Sequence, residues 1–159
     1  MKTEFKEEQK FTQWWLWLLL IVLAAIPFFG IYKQIILGEV FGNKPMSDTG
    51  LIIAAIISSA VLILFWLSKL ETEIDQNGIR IKFFPLVNRV VSWEEVKSAQ
   101  VLNYGFVGYG IRIATAYGTV YNTKGNIGLA IELKNGKKLL VGTQKKEELS
   151  EIVGNNFKK

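Results

Sequence analysis

The sequence predicts two membrane-spanning helices followed by an α+β, mainly β, domain with a helix at its C-terminal end. Three observations predict it: two uncharged apolar runs early in the chain, a change to short alternating segments after Leu70, and a helical apolar stripe near the end. Half of the 159 residues are hydrophobic, which is rare for a water-soluble domain of this length. Cysteine and histidine are both absent. That removes disulfide frameworks, thiol nucleophiles, Cys/His zinc sites and every triad built on imidazole. Any catalysis has to come from Asp, Glu, Lys, Ser, Thr or Tyr.

The first apolar run covers residues 14–32, nineteen residues without a charge, eleven of them Leu, Ile, Val or Phe. The second covers residues 50–68, again nineteen uncharged residues with eleven of the same four types. As helices each spans roughly 28 Å, about the thickness of a bilayer core. The rest of the chain is too small to bury two such helices. Trp14, Trp15 and Trp17 crowd the start of the first run, Tyr32 marks its far end and Trp66 lies near the end of the second. Amphipathic rings favour the membrane–water interface, so these five read as interfacial anchors. Pro27 falls inside the first run and is expected to kink it or to end its regular part. Ser58 and Ser59 have two options, a bond across to the first helix or one back to their own backbone.

Residues 1–13 carry Lys2, Lys6 and Lys10, the connector 33–49 carries Lys33 and Lys44, and Lys69, Arg80 and Lys82 follow the second run. By the positive-inside rule this places both termini in the cytoplasm, with the connector outside. Glu4, Glu7 and Glu8 with three tryptophans in the apolar core argue against a cleaved leader. The expected location is the cytoplasmic membrane, crossed twice.

Residues 71–159 form the cytoplasmic domain. Ile79, Ile81 and Phe83 alternate with Arg80, Lys82 and Phe84, and Ile127, Leu129, Ile131 and Leu133 alternate with Gly128, Ala130 and Glu132, the period of half-buried strands. Residues 96–104 and the Ile111–Ile113 alternation are further strand candidates. Asn135-Gly136 and Gln76-Asn77-Gly78 fit tight hairpin turns, with Lys137–Val141 following the first of them. Ser92-Trp93-Glu94-Glu95 has a capping residue with an acid three positions on, which suits a single helical turn or a strand corner. Leu149, Ile152, Val153 and Phe157 share one face of a helix, and Glu147 and Glu148 sit in its first turn, where the helix dipole favours acids. Six or seven strands and one helix suggest a small barrel or bent sandwich plugged by that helix.

The chemical motifs are few. Tyr104 to Gly110 is glycine-rich but has no strand-to-helix context, so it is not a nucleotide fingerprint. The acid pairs Glu94-Glu95 and Glu147-Glu148 each begin an apparent helical turn, and Asp75 precedes a turn. No nucleophile is paired with a base. Basic residues are not interleaved with stacking aromatics, so nucleic acid is not an expected partner. Neither a catalytic residue, a cofactor nor a metal is expected.

In order, Asn77-Gly78-Ile79-Arg80-Ile81, Val91-Ser92-Trp93-Glu94-Glu95-Val96, residues 128–133, Gly136-Lys137, and Gly142-Thr143-Gln144-Lys145 before Glu147-Glu148-Leu149 resemble the bacterial membrane-anchored pleckstrin-homology-like (PH-like) family. The resemblance covers residues 71 to about 156 and rests on a dispersed pattern. It implies a bent barrel of about seven strands capped by a C-terminal helix, often preceded by two transmembrane helices, and it implies no catalysis.

The expected function is therefore a membrane-anchored, non-catalytic binding or scaffolding module, whose partner is another protein or a second copy. The alternative is recognition of anionic lipid headgroups. Residues 71–159 hold thirteen Lys/Arg against nine Asp/Glu. Arg80 and Lys82 share a strand face beside the Gln76-Asn77-Gly78 turn, and Lys137 and Lys138 follow the Asn135-Gly136 turn. These four are the candidate lipid- or partner-binding residues. Arg80-Ile81-Lys82 matches only the later part of the Lys-then-Lys/Arg-x-Arg pattern of phosphoinositide-binding PH domains, and Glu71, Glu73 and Asp75 stand where a lysine would be wanted.

Overall fold

The computed structural model describes residues 4–157. They fall into two compact units, one formed by residues 12–67 and one by residues 4–11 together with residues 68–157.

The first unit is a pair of helices, α1 (Trp14–Ile31) and α2 (Asp48–Leu67). A wider π turn over Tyr32–Ile36 prolongs α1 into the segment expected as connector, and α2 starts two residues earlier than its apolar run. Both are long and apolar enough to cross a membrane. Most of their large side chains face outward, while small ones are buried: Ala24, Pro27 and Gly30 on α1, and Ala55 beside Leu51 on α2. A Cβ on Gly30 would come within 2.9 Å of Leu51, so glycine sets the approach of the helices here. Gln34 Nε2 donates to Asp48 Oδ1 at 2.6 Å across the connector. The hydroxyls of Ser58 and Ser59 both donate to the Ala55 carbonyl, the option within their own helix.

The second unit is the β domain. Its nine strands among the described residues, against the six or seven expected, form two sheets. The first sheet contains β1 (Phe5–Lys10), β2 (Lys69–Asp75), β3 (Gly78–Phe84) and β4 (Val87–Ser92), a four-stranded antiparallel meander in that order. β1 is a strand that the sequence reading left inside its N-terminal segment. The Asp75 carboxylate accepts from the Asn77 and Gly78 backbone N–H groups at 2.8 and 3.1 Å, closing the β2–β3 turn. The Ser92–Glu95 segment is a single 3₁₀ turn with a reciprocal capping box.

The second sheet contains β5 (Val96–Asn103), β6 (Gly110–Thr115), β7 (Gly118–Asn122), β8 (Ile127–Leu133) and β9 (Lys138–Gly142), in the order β5-β8-β9-β7-β6. All its pairs are antiparallel except β7 with β9. The strands for which the sequence offered no candidate are β1, β4 and β7. Helix α3 (Lys146–Phe157) lies against β5, β8 and β1, with Leu149 and Val153 buried.

Alternation divides each sheet into faces. Leu70, Ile74, Ile79, Ile81, Phe83 and Val91 are buried on the first sheet, and Leu129, Ile131, Leu133, Leu139 and Val141 on the second. The other face of the second sheet holds a smaller cluster of Tyr104, Val120 and Leu140, with Leu102, Val107, Tyr117 and Ala130 packed on it. The inner side of β1 is unusual because it reads Phe5, Glu7, Gln9, all buried. Its two polar members are satisfied by the end of β9. Glu7 accepts from Thr143 Oγ1 at 2.6 Å and from the Gln144 N–H at 2.7 Å, and Gln9 Nε2 donates to the Gly142 carbonyl at 2.7 Å.

Candidate functional site

The outer face of the first sheet is a lattice of charges built by register. One row runs Lys6, Glu73, Arg80 across β1, β2 and β3. Lys6 Nζ is 2.7 Å from Glu73 Oε1, and Arg80 Nη1 is 2.8 Å from Glu73 Oε2. The next row sets Glu8 opposite Glu71 and Glu71 opposite Lys82. The two facing acids are bridged by Lys69, which pairs with both. Lys82 lies 3.7 Å from Glu71. The hydrogen bond from Lys6, with one from Arg80, holds the Glu73 carboxyl below its ordinary range, and Lys69 does the same for Glu8.

Arg80 and Lys82 thus share a face as expected, but each has an acid from β2 opposite it. The acids that spoil the phosphate-binding pattern in sequence are their partners in space. A phosphate approaching either base competes with a carboxylate already in place.

Lys137 and Lys138 stand on the other sheet, at the β8–β9 hairpin, so the two basic groups do not share a sheet. Lys137 follows the turn that the Asn135 side chain closes by accepting from the Lys137 N–H at 3.0 Å. Lys138 is in register with Glu132. It borders an open groove of about 220 Å³, shared with Ser98, Gln100, Tyr117 and Glu132. Lys97, 2.7 Å from Glu132, holds that carboxyl below the ordinary range. The groove therefore has mixed charge, with one acid between two lysines.

Sequence reasoning missed the apolar surface of the segment between β5 and β7. Phe106 and Ile113 are 75% and 77% exposed, the highest values among large apolar residues of the described β domain. Positive φ occurs at Gly105 and Gly108 in the loop before β6 and at Gly110, the first residue of that strand. The Arg112 guanidinium lies so close over Gly108 that a Cβ there would meet its Nε at 2.9 Å. Phe106 and Tyr109 pack edge to face at 5.5 Å. β6 pairs only with β7, and its register shifts between Arg112 and Thr115, where Ala114 takes φ +58°. This bulge ends the regular ladder and leaves Ile113 outward. The signal was present in sequence, as glycines alternating with aromatics.

The expected anchors lie on the helix pair. The Gln34–Asp48 bond joins the C-terminal end of α1 to the start of α2, so Trp14, Trp15 and Trp17 stand at the same end of the pair as Trp66. Tyr32 stands at the other end. Trp14 and Trp66 are largely exposed.

The acid pairs have structural duties. Glu95 Oε2 accepts from the Ser92 N–H within the capping box, and Glu148 pairs with Lys145 at 3.0 Å. Among the described residues no three acids cluster in a way that would hold a metal ion. Compared with models of known protein families and with curated proteins, the chain finds no match in either.

Proposed function

We propose that the chain is a membrane-anchored, non-catalytic binding module of PH-like type. Its two helices cross the cytoplasmic membrane, and its β domain offers an apolar docking point to a protein partner or a second copy on the cytoplasmic side. One observation carries the docking reading: Phe106, on the loop before β6, and Ile113, on the bulged edge strand β6 itself, are presented to solvent in a domain whose other large apolar side chains are mostly buried.

Other features support the anchoring and its sense. β1 precedes α1 and β2 follows α2, yet the two strands are in register from Phe5↔Ile74 to Lys10↔Lys69. A hairpin that crosses and returns satisfies this pairing, and a single crossing does not. Lys6, Lys10 and Lys69 then share one side of the bilayer, and on the connector side Lys33 is paired with Glu39. The meander, the second sheet and the terminal helix are in keeping with a PH-like domain. The alternative of lipid-headgroup recognition through Arg80 and Lys82 is disfavoured by their pairing with Glu73 and Glu71.

The test uses the full chain in native membranes with a photo-crosslinking residue at Phe106, at Ile113, or at Glu94 on the 3₁₀ turn. The expected result is a discrete protein adduct from positions 106 and 113 and none from 94. Its mass distinguishes a partner from a second copy. No adduct at 106 and 113, or equal labelling at all three, would overturn the docking reading.

A further inference from the structure

Of the five large apolar side chains that the described β domain leaves exposed, Phe84 and Leu86 lie together at the tip of the β3–β4 hairpin, while Val90 lies further along it, opposite Arg80. Register fixes where its tip lies. Phe84 is opposite Lys69, and Lys69 is opposite Lys10. Leu67 ends α2, two residues before Lys69. Two residues reach at most about 7 Å, and paired strands lie about 5 Å apart. Chain connectivity alone thus keeps the Phe84 backbone within about 12 Å of the end of α2. The Leu86 N–H donates to the Phe83 carbonyl at 2.8 Å, which holds Pro85 and Leu86 at the same end of the sheet.

The two ends of this sheet differ in chemistry. The end attached to the helices carries Phe84-Pro85-Leu86, with the Lys82 ammonium 5.8 Å from the Phe84 ring centre, and Lys10, Lys69 and Lys82 beside it are ion-paired with Glu8 and Glu71. The far end is polar and acidic: the Asp75–Gly78 turn and the Ser92–Glu95 turn. Exposed apolar side chains at a polar rim are what an interfacial membrane contact requires, because rings and stems enter the acyl boundary while charged groups stay at headgroup level. Here the apolar tip carries the contact, since the three lysines exceed Glu8 and Glu71 by a single charge.

We propose that Phe84-Pro85-Leu86 is a third membrane anchor, a hairpin tip that dips into the bilayer interface on the side where the β domain is attached. The proposal rests on reading α1 and α2 as membrane spans. It gives the domain three attachments, two covalent and one by partition, and so limits its tilt over the membrane. The polar turns at the far end face water, and Arg80 stands about 13 Å further along β3 than Phe84.

The absence of cysteine makes single-site labelling clean. The full chain carrying L86C, E94C or L19C is labelled with an environment-sensitive fluorophore and reconstituted into vesicles containing anionic lipid. Nitroxide-bearing lipids then quench from the headgroup level or from deep in the acyl region. The expected pattern is that L86C is quenched by the shallow quencher and less by the deep one, as an interfacial residue is, L19C responds to the deep quencher, and E94C to neither. P85C reports the same position should L86C fold poorly. If L19C is quenched while L86C and P85C behave as E94C does, the anchor is overturned and the spanning helices stand. If L19C is also unquenched, the spanning helices fail and the anchor with them.

Discussion

Glu7 Oε2 accepts a 2.6 Å hydrogen bond from Thr143 Oγ1, a side chain 136 residues further along the chain. Both groups are buried, and the other carboxylate oxygen accepts from the Gln144 N–H. The bond fastens an edge strand that precedes the helix pair to the connection between the last strand and α3. Hydrogen bonds to a charged acceptor in such a place contribute about 1.5–3 kcal/mol. Glu7→Ala should therefore lower the stability of the β domain by that order, about 2–3 kcal/mol. Hydrogen exchange should show β1 amides losing protection before those of β8 and β9. Equal loss of protection in all three strands would mean that Glu7 supports the whole domain and not β1 in particular.

Gly118 and Gly136 both have positive φ, +72° and +81°, but their surroundings differ. A Cβ on Gly118 would collide with the Lys138 carbonyl oxygen where β7 meets β9, whereas Gly136 has nothing within 4 Å. Gly136→Ala should cost about 1 kcal/mol, the conformational term alone. Gly118→Ala should cost at least about 3 kcal/mol, because backbone has to move. Denaturant unfolding of the two variants in detergent measures the difference.

Tyr104 is buried on the smaller apolar cluster and donates to the Gly125 carbonyl. Burial pushes its phenol up to about 12. Because the folded value exceeds the ordinary one of about 10, its contribution to stability is complete below that pH and is lost as pH rises toward 12. Ultraviolet titration should show a tyrosinate component near pH 12 that Tyr104→Phe removes. Its persistence in that variant would assign it to another tyrosine.

At the acid end the sign reverses. Glu73 lies below its ordinary value because Lys6 and Arg80 bond its charged form. Its contribution is present above the usual carboxylate pKa of about 4.3 and is lost as pH falls through the lower folded value. Glu73→Gln should be slightly less stable than the parent near neutral pH and equal to it in strong acid. The gap should shrink with added salt, as for any exposed pair.

Much of this architecture is legible in the residues. Two uncharged runs locate α1 and α2, Gln76-Asn77-Gly78 and Asn135-Gly136 locate two hairpins, and the Leu149–Val153 stripe locates α3. β1 is not legible because its inward positions include Glu7 and Gln9, which look like a solvated segment until Thr143 and Gly142 are seen to satisfy them. The β7–β9 pairing joins strands that are not neighbours in sequence, and local pattern cannot announce it. Basic positions are easily found, but their neutralisation is not. Whether Arg80 meets Glu73, or Lys138 meets Glu132, depends on register, which a one-residue slip would reverse.

The pairing of Lys10 with Lys69 also dictates an order of assembly. β1 leaves the ribosome before α1 and has no sheet to join until the whole helical hairpin has been made and β2 follows it. Its final lock, the end of β9, is made later still. During synthesis the strand waits as an open edge. If α1 and α2 enter the bilayer and pack first, they return Phe11 and Ser68 to one side of it and shorten the search that β1 must make.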